Sequence, residues 1–546
     1  MEKIRNTGIQ IGMPLIIAVT LAGGILIGAK MFPGKTSGNP ENVALNVRRF
    51  QEVMSLVDRE YVDSVNVNEL TEYSISQMLD RLDPHSVYIP AKEVQAANEP
   101  LEGNFDGVGI EFLILKDTID VVTALSGGPS EAVGVRSGDK IVTVDGIKVA
   151  GIGITNKDVM KKLRGPKGTK VHVGIRRRGE RKDLDFTITR DKIPTHSVEV
   201  AFMVDKQTGF IRVSRFSATT YDEFKAALDK LQAAGMKRMV LDLRDNPGGY
   251  MDKAVRMADE FLPANRMIVY TKSKNGRYDQ SHRSTVNGNF EHGPVIVLIN
   301  EGSASASEIV SGALQDNDRA LIVGRRSFGK GLVQLPKPLS DGSELRLTIS
   351  RYYTPTGRSI QKPYIKGDAD YDRDYETRYE HGEFFHADSI HFNDSLKYKT
   401  VNGRTVYGGG GIMPDIFVGL DTSQSTRYYA QLLNKNVLRE YALEYSNSNR
   451  AELEKMGLEK YSKSFSLSPE MLKQITDAAV KAGVPNNEVQ FKRSEKAINN
   501  TIKAFIARGV WREEGFYSVY SQNDDVLQQA MKLWDKAAKV EKGAKN

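Results

Sequence analysis

The sequence predicts a multidomain α/β protein, and three observations carry that prediction. At 546 residues the chain exceeds what one hydrophobic core sustains and suggests roughly three or four domains. Across its middle, apolar runs of strand length alternate with helical periodicity, the pattern of an α/β core. A stretch of short strands and turns precedes that core, and a helical pattern without strands follows it. The expected segments are 1–41, an N-terminal anchor or signal with its linker; 42–98, a helical region; 99–191, a small β-rich domain; 192–420, the α/β core; and 421–546, a helical C-terminal region.

Composition narrows the function classes. A net charge of +7 is mild for this length and makes no case for nucleic acid. The chain has no cysteine, which excludes disulfides, thiolate metal sites and a cysteine nucleophile.

Lys3 and Arg5 precede the uncharged run Ile11–Ala29, long enough to cross a bilayer as a helix of about 20 residues. It exceeds a signal-peptide core, and Gly28-Ala29-Lys30 is a poor cleavage site, so an uncleaved anchor is expected over a removed signal. Lys30 and Lys35 balance Lys3 and Arg5, so charge does not set the orientation. The short tail and the large following domain favour an extracytoplasmic location, on the periplasmic side. Met31–Glu41 reads as a linker.

Val43, Val47, Phe50, Val53, Met54 and Val57 fit a 3.6-residue period, as do Leu70, Tyr73, Ile75, Met78 and Leu79. Leu82-Asp83-Pro84-His85-Ser86 breaks the pattern; Asp-Pro starts a turn, and His85 is expected to be structural. Gly107-Val108-Gly109-Ile110 opens a strand. Pro129–Ala132 begins a short helix, Ile141–Val144 is a strand ending at Asp145-Gly146, and Asn156–Leu163 is a helix before two further strands. The basic run Arg176–Lys182 lies between strands and reads as a solvated hairpin tip.

In the core, the strand Phe210–Val213 leads to an amphipathic helix over Tyr221–Ala234. The strand Met239–Leu243 runs into Arg244-Asp245-Asn246-Pro247-Gly248-Gly249, and a helix follows over Tyr250–Leu262. Pro294–Asn300 is a strand, Glu301–Ala304 a small-residue break, and a helix begins at Ser305. Ala320–Val323 is a strand leading to the glycine-flanked Lys330. Asp341-Gly342 is a hairpin turn before Glu344–Tyr353. Lys366–Thr405 is polar and has no assigned structure; its His381, Glu383, His386, Asp388 and His391 match no zinc spacing, so no metal is expected. In the last region Ser468-Pro469 starts a helix that Gly483 ends, and Ile498, Ile502, Phe505 and Ile506 mark another.

Two side chains in this core carry competing readings. Ser305-Ala306-Ser307-Glu308 fits a capping box, a purely structural device. Lys330 fits a solvated loop lysine. Gly324-x-x-x-x-Gly329-Lys330 is the skeleton of a phosphate-binding loop, but Gly331 stands where Ser or Thr should bind magnesium and no helix pattern follows. The chemical reading is a Ser–Lys hydrolase, in which a desolvated lysine takes the serine proton. Spacing alone does not choose among these.

The choice comes from a resemblance. Gly302–Glu308 (GSASASE), Gln315-Asp316-Asn317 and Phe328–Gln334 (FGKGLVQ) resemble the signature of the carboxyl-terminal processing, or tail-specific, proteases. The resemblance implies Ser305 as nucleophile, Lys330 as base and Gln334 as the residue that orients the lysine, with Ser303 and Ser307 as neighbours. The element at Leu243–Gly249 resembles the family's LR-x-NPGG turn; it implies an oxyanion-hole N–H from Gly249, with Gly248 the near alternative and Ala306 as partner. Leu82–Tyr88 resembles an LDPHS-x-Y turn, and Thr354–Gln361 and Gly411–Asp415 also match family elements. The order of elements in 99–191 resembles a PDZ domain, whose loop Gly107, Val108, Gly109 and Ile110 would hold a terminal carboxylate. A crotonase-like core with an inserted PDZ domain follows. So do protein substrates with exposed apolar C-termini, self-association through terminal helices, and no cofactor. The rival is a membrane-anchored PDZ scaffold with an inactive protease core; the intact Ser305, Lys330 and Gln334 argue against it.

Overall fold

The computed structural model describes residues 40–543, apart from 126, 287, 365–370, 372 and 392. The anchor reading at Ile11–Ala29 lies outside them; among the described residues no helix is long and apolar enough to cross a membrane. The chain divides into two compact units at Gln77/Met78. In the first, the helix Pro40–Glu60 carries the apolar stripe of Val43, Val47, Phe50 and Val53, all well exposed.

The second unit is built on a six-stranded sheet, in the order Val198–Met203, Thr208–Val213, Arg238–Asp242, Val295–Ile299, Leu321–Gly324 and Ile416–Phe417. The first pair is antiparallel and the rest parallel. Parallel strands need both faces covered, which is why Val295–Ile299 is apolar at every position. Its alternate residues serve different cores. Val295, Val297 and Ile299 pack with the crossover helices Thr220–Ala233, Met251–Asp259 and Ala306–Asp316. Ile296 and Leu298 face Val526, Leu527, Ala530, Trp534, Ala537 and Val540 of the C-terminal helices Asp525–Ala530 and Trp534–Glu541. The end of the helical region therefore closes the second face of the core sheet.

A second sheet carries the lysine segment. The hairpin Leu332–Pro338/Glu344–Tyr353 forms as the Asp341-Gly342 turn predicts. The other edge of Glu344–Tyr353 pairs with Met267–Ser273 and with Val87–Ile89. The stretch after the Asp-Pro turn is thus a strand of the core, inside the region expected to be helical.

The domain between these parts is an antiparallel sheet in the order Ile110–Leu115, Thr118–Ala124, Lys140–Val144, Lys170–Arg176 and Leu184–Thr189, with the helix Asn156–Leu163. Where the chain enters and leaves it, Asn104–Gly107 pairs with Asp191–Pro194, the mark of an insertion. The basic tip Arg176–Lys182 is exposed as expected, except at Arg177. Arg177 is half-buried and pairs with the buried Asp139 at 2.7 Å. The remaining helices, Arg427–Asn434 through Glu488–Tyr520, share a core of their own.

Candidate active site

The strand Val295–Ile299 delivers the chain into a turn that places Ser305 at the start of the helix Ala306–Asp316. Ser305 has φ 54° and ψ −110°. A serine held at positive φ costs about 1–3 kcal/mol, which the surroundings must offset. The glutamate half of the capping box forms, with the Glu308 carboxylate accepting the Ser305 N–H at 2.8 Å, while the Glu308 N–H goes to the Ser305 carbonyl at 2.9 Å.

The three serines of the segment differ in commitment. Ser303 donates its hydroxyl to the Leu243 carbonyl at 2.7 Å, and Ser307 donates to the Asn246 carbonyl at 2.9 Å; both are fully buried. Ser305 is half-buried, and among the described residues its hydroxyl donates to no acceptor.

Glu308 does more than cap. It is fully buried, and its oxygens accept from the Ser327 hydroxyl (2.5 Å) and from the N–H groups of Gly329 (2.7 Å) and Lys330 (2.8 Å) as well as Ser305. Burial pushes its carboxyl up to about 7 against the pull of these donors. On the other side, the buried Tyr352 hydroxyl reaches the carbonyls of Lys330 (2.5 Å) and Ser305 (3.1 Å). Two side chains thus grip the backbone N–H and carbonyl of both Ser305 and Lys330. The capping box was visible in the sequence; Tyr352 carried no signal there, because its role depends on strand pairing.

Lys330 is mostly buried, and desolvation holds its amine below the usual lysine range, partly opposed by the charges of Glu308 and Asp83. His85 hydrogen-bonds the Tyr371 hydroxyl at 2.9 Å and is lowered to about 4 by burial and by the nearby Lys330, so it is neutral at physiological pH. Gln334 donates its Nε2 to the Thr348 hydroxyl at 3.0 Å.

The segment without an assigned structure lies against the lysine loop. Arg378, on the helix Asp374–Glu380, donates to the carbonyls of Arg326 (2.8 Å) and Ser327 (3.2 Å). Glu383 is taken by Arg326 and Arg378, both at 2.8 Å or closer, so its carboxylate is spent on ion pairs.

The turn at Arg244–Gly249 meets the Ser305 segment directly. Asp245 N–H donates to Asn300 Oδ1 at 2.8 Å, and Ala304 N–H donates to the Asn246 carbonyl at 2.9 Å. Gly248 has φ 98°, and a Cβ there would lie 2.8 Å from Ser305 Cβ, so only glycine allows this approach. The Gly248 N–H is already donated to Asn246 Oδ1 at 2.9 Å. Those of Gly249 and Ala306 reach no protein acceptor among the described residues.

In the inserted domain, the carbonyls of Val108 and Gly109 are taken up internally by Ser130 and Leu125. Ile110 then starts a strand whose outer edge is unpaired among the described strands.

Comparison with known proteins agrees with this architecture. The peptidase family S41 profile matches residues 207–371, that of the PDZ domain residues 121–177, and that of a family of unknown function, DUF8443, residues 428–513. A carboxy-terminal-processing protease of Bartonella bacilliformis is 37% identical over 350 residues, spanning 63% of this chain and 79% of its own. A probable CtpA-like serine protease of Staphylococcus aureus is 34% identical over 377 residues, spanning 68% and 73%. Among solved structures, a photosystem II D1 C-terminal processing protease is 26% identical and aligns over 68% of this chain and 92% of its own, with a TM-score of 0.35. Fold and relatives define a multidomain α/β serine peptidase with a PDZ domain. The chain belongs to the carboxy-terminal-processing proteases of peptidase family S41.

Proposed function

We propose that this protein cleaves extracytoplasmic proteins chosen by their C-terminal tails, with Ser305 as nucleophile and Lys330 as the proton carrier. The observation that carries the reading is the double grip of Glu308 and Tyr352, which fixes the backbones of Ser305 and Lys330 to each other. Neutral Lys330 takes the Ser305 proton as the oxygen attacks the scissile carbonyl. The N–H groups of Gly249 and Ala306, uncommitted among the described residues, receive the oxyanion. The lysine then returns its proton to the leaving amine, and water releases the acyl group by the same steps in reverse. Gln334 orients the amine. Tail selection is supported by the free edge of Ile110–Leu115, where a peptide adds as a strand and its carboxylate meets the Gly107–Ile110 loop.

The test uses an unfolded protein with an apolar tail, its C-terminus free or amidated, incubated with this chain or its Ser305→Ala form. Cleavage of the free-tailed substrate, slower cleavage of the amidated one, and none by Ser305→Ala are expected. Equal inertness of both forms would favour the scaffold with an inactive core. Equal rates on both substrates would remove carboxylate capture from the mechanism.

A further inference from the structure

The Asp-Pro turn, read from the sequence as structural, is hydrogen-bonded into the active site. Asp83 is buried. Its Oδ1 accepts the N–H groups of His85 and Ser86, both at 2.9 Å, and its Oδ2 accepts the Ser86 hydroxyl at 2.6 Å. One more donor reaches Oδ1: the Thr348 hydroxyl, at 3.0 Å. Thr348 lies opposite Gln334 in the hairpin, and its oxygen accepts the Gln334 Nε2–H at 3.0 Å.

The polarity of this chain follows from inventory. A carboxylate bonded by four donors has no proton to give. The single Thr348 proton is therefore spent on Asp83, and the hydroxyl can offer Gln334 only lone pairs. Gln334 must then present its NH₂ to Thr348, which turns its amide oxygen to the opposite side. A register shift between Val333 and Gln334 marks an irregularity at this residue, and such bulges re-aim side chains beside active sites. We propose that Asp83, acting through Thr348, is a positioning residue for the proton transfer: it fixes which face of the Gln334 amide meets Lys330. This rests on Lys330 being the base.

Thr348→Val keeps the shape and removes the hydroxyl, Thr348→Ser keeps the hydroxyl, and Asp83→Asn ends the fixed polarity. On a tailed peptide, Thr348→Val should lower kcat by about 10- to 100-fold, the usual cost of a misplaced catalytic group, with KM unchanged. Thr348→Ser should restore most of it. Asp83→Asn should also lower kcat and move the acid limb of the pH profile to lower pH, because the Asp83 charge favours protonated Lys330. Wild-type kcat in Thr348→Val would overturn the relay. So would a loss that tracks a lowered melting temperature and leaves the pH profile of Asp83→Asn in place. The two failures separate: activity in Lys330→Ala overturns the base, whereas an inactive Lys330→Ala beside a fully active Thr348→Val overturns the relay alone.

Discussion

Glu308 accepts four hydrogen bonds, and all four together require an ionised carboxylate. Its carboxyl is raised to about 7 by burial, so protonation on acidification through that value costs one of the four donors its acceptor. Lys330 is lowered by the same cause, and acidification charges it. Both protonations oppose catalysis. kcat/KM on a tailed peptide should therefore fall toward acid pH through two protonations. Glu308→Gln should reduce the limb to one proton and shift it to lower pH, since the Glu308 charge favours protonated Lys330. A one-proton limb that Glu308→Gln leaves unmoved would refute this pairing. The result is read from log kcat/KM against pH, using residual activity in the variant.

At the scale of elements, the helices Asp525–Ala530 and Trp534–Glu541 decide whether the core sheet is covered. Without them Phe210, Val240, Ile296, Leu298, Leu321 and Val323 would meet water on one face. Each large apolar side chain is worth about 1.5–3 kcal/mol on burial, so together they rival the roughly 5–15 kcal/mol net stability of a domain. Ending the chain after Asp524 should give an insoluble product or one melting far below the full chain. A soluble product with an unchanged melting curve would show that the sheet closes another way. Arg244 adds a second tie. It bridges Asp242, at the end of a core strand, and Asp524, at the start of these helices. The turn that carries Gly249 is thereby held from the C-terminal side.

Across the whole molecule, the C-terminal helices touch both the protease core and the PDZ domain. Arg508, on the helix Glu488–Tyr520, pairs with Glu111 of the PDZ edge strand at 3.1 Å, and Lys116 pairs with Glu440 at 2.9 Å. Tyr517 of that helix donates to Glu199, which also receives Arg212 from the core sheet. The anchor proposed at Ile11–Ala29 would hold this assembly at a membrane. The full chain should stay with membranes through high salt and carbonate and leave only with detergent; release by carbonate alone would rule the anchor out.

The α/β class, the inserted domain and the segments of Ser305, Lys330 and Gly249 were legible in the sequence because each is local. Periodicity marks the strands, turn chemistry marks the Asp341-Gly342 hairpin, and the motifs are contiguous runs. Within the solvated tip, only the pairing of Arg177 escaped the sequence, because its partner, Asp139, lies on a different strand turn. The helical reading of 42–98 missed Val87–Ile89, a strand only by virtue of its pairing with Glu344–Arg346. The same limit hid the role of Tyr352, the docking of Arg378 on the lysine loop, and the link from Asp83 to Thr348 across 265 residues. Sequence alone determined which groups are chemically able to act, since side-chain identity sets donors, acceptors and charge. Only the tertiary structure decided which of them are buried, and hence which pKa values move and which hydrogen bonds must be met, because desolvation depends on atoms brought from distant parts of the chain.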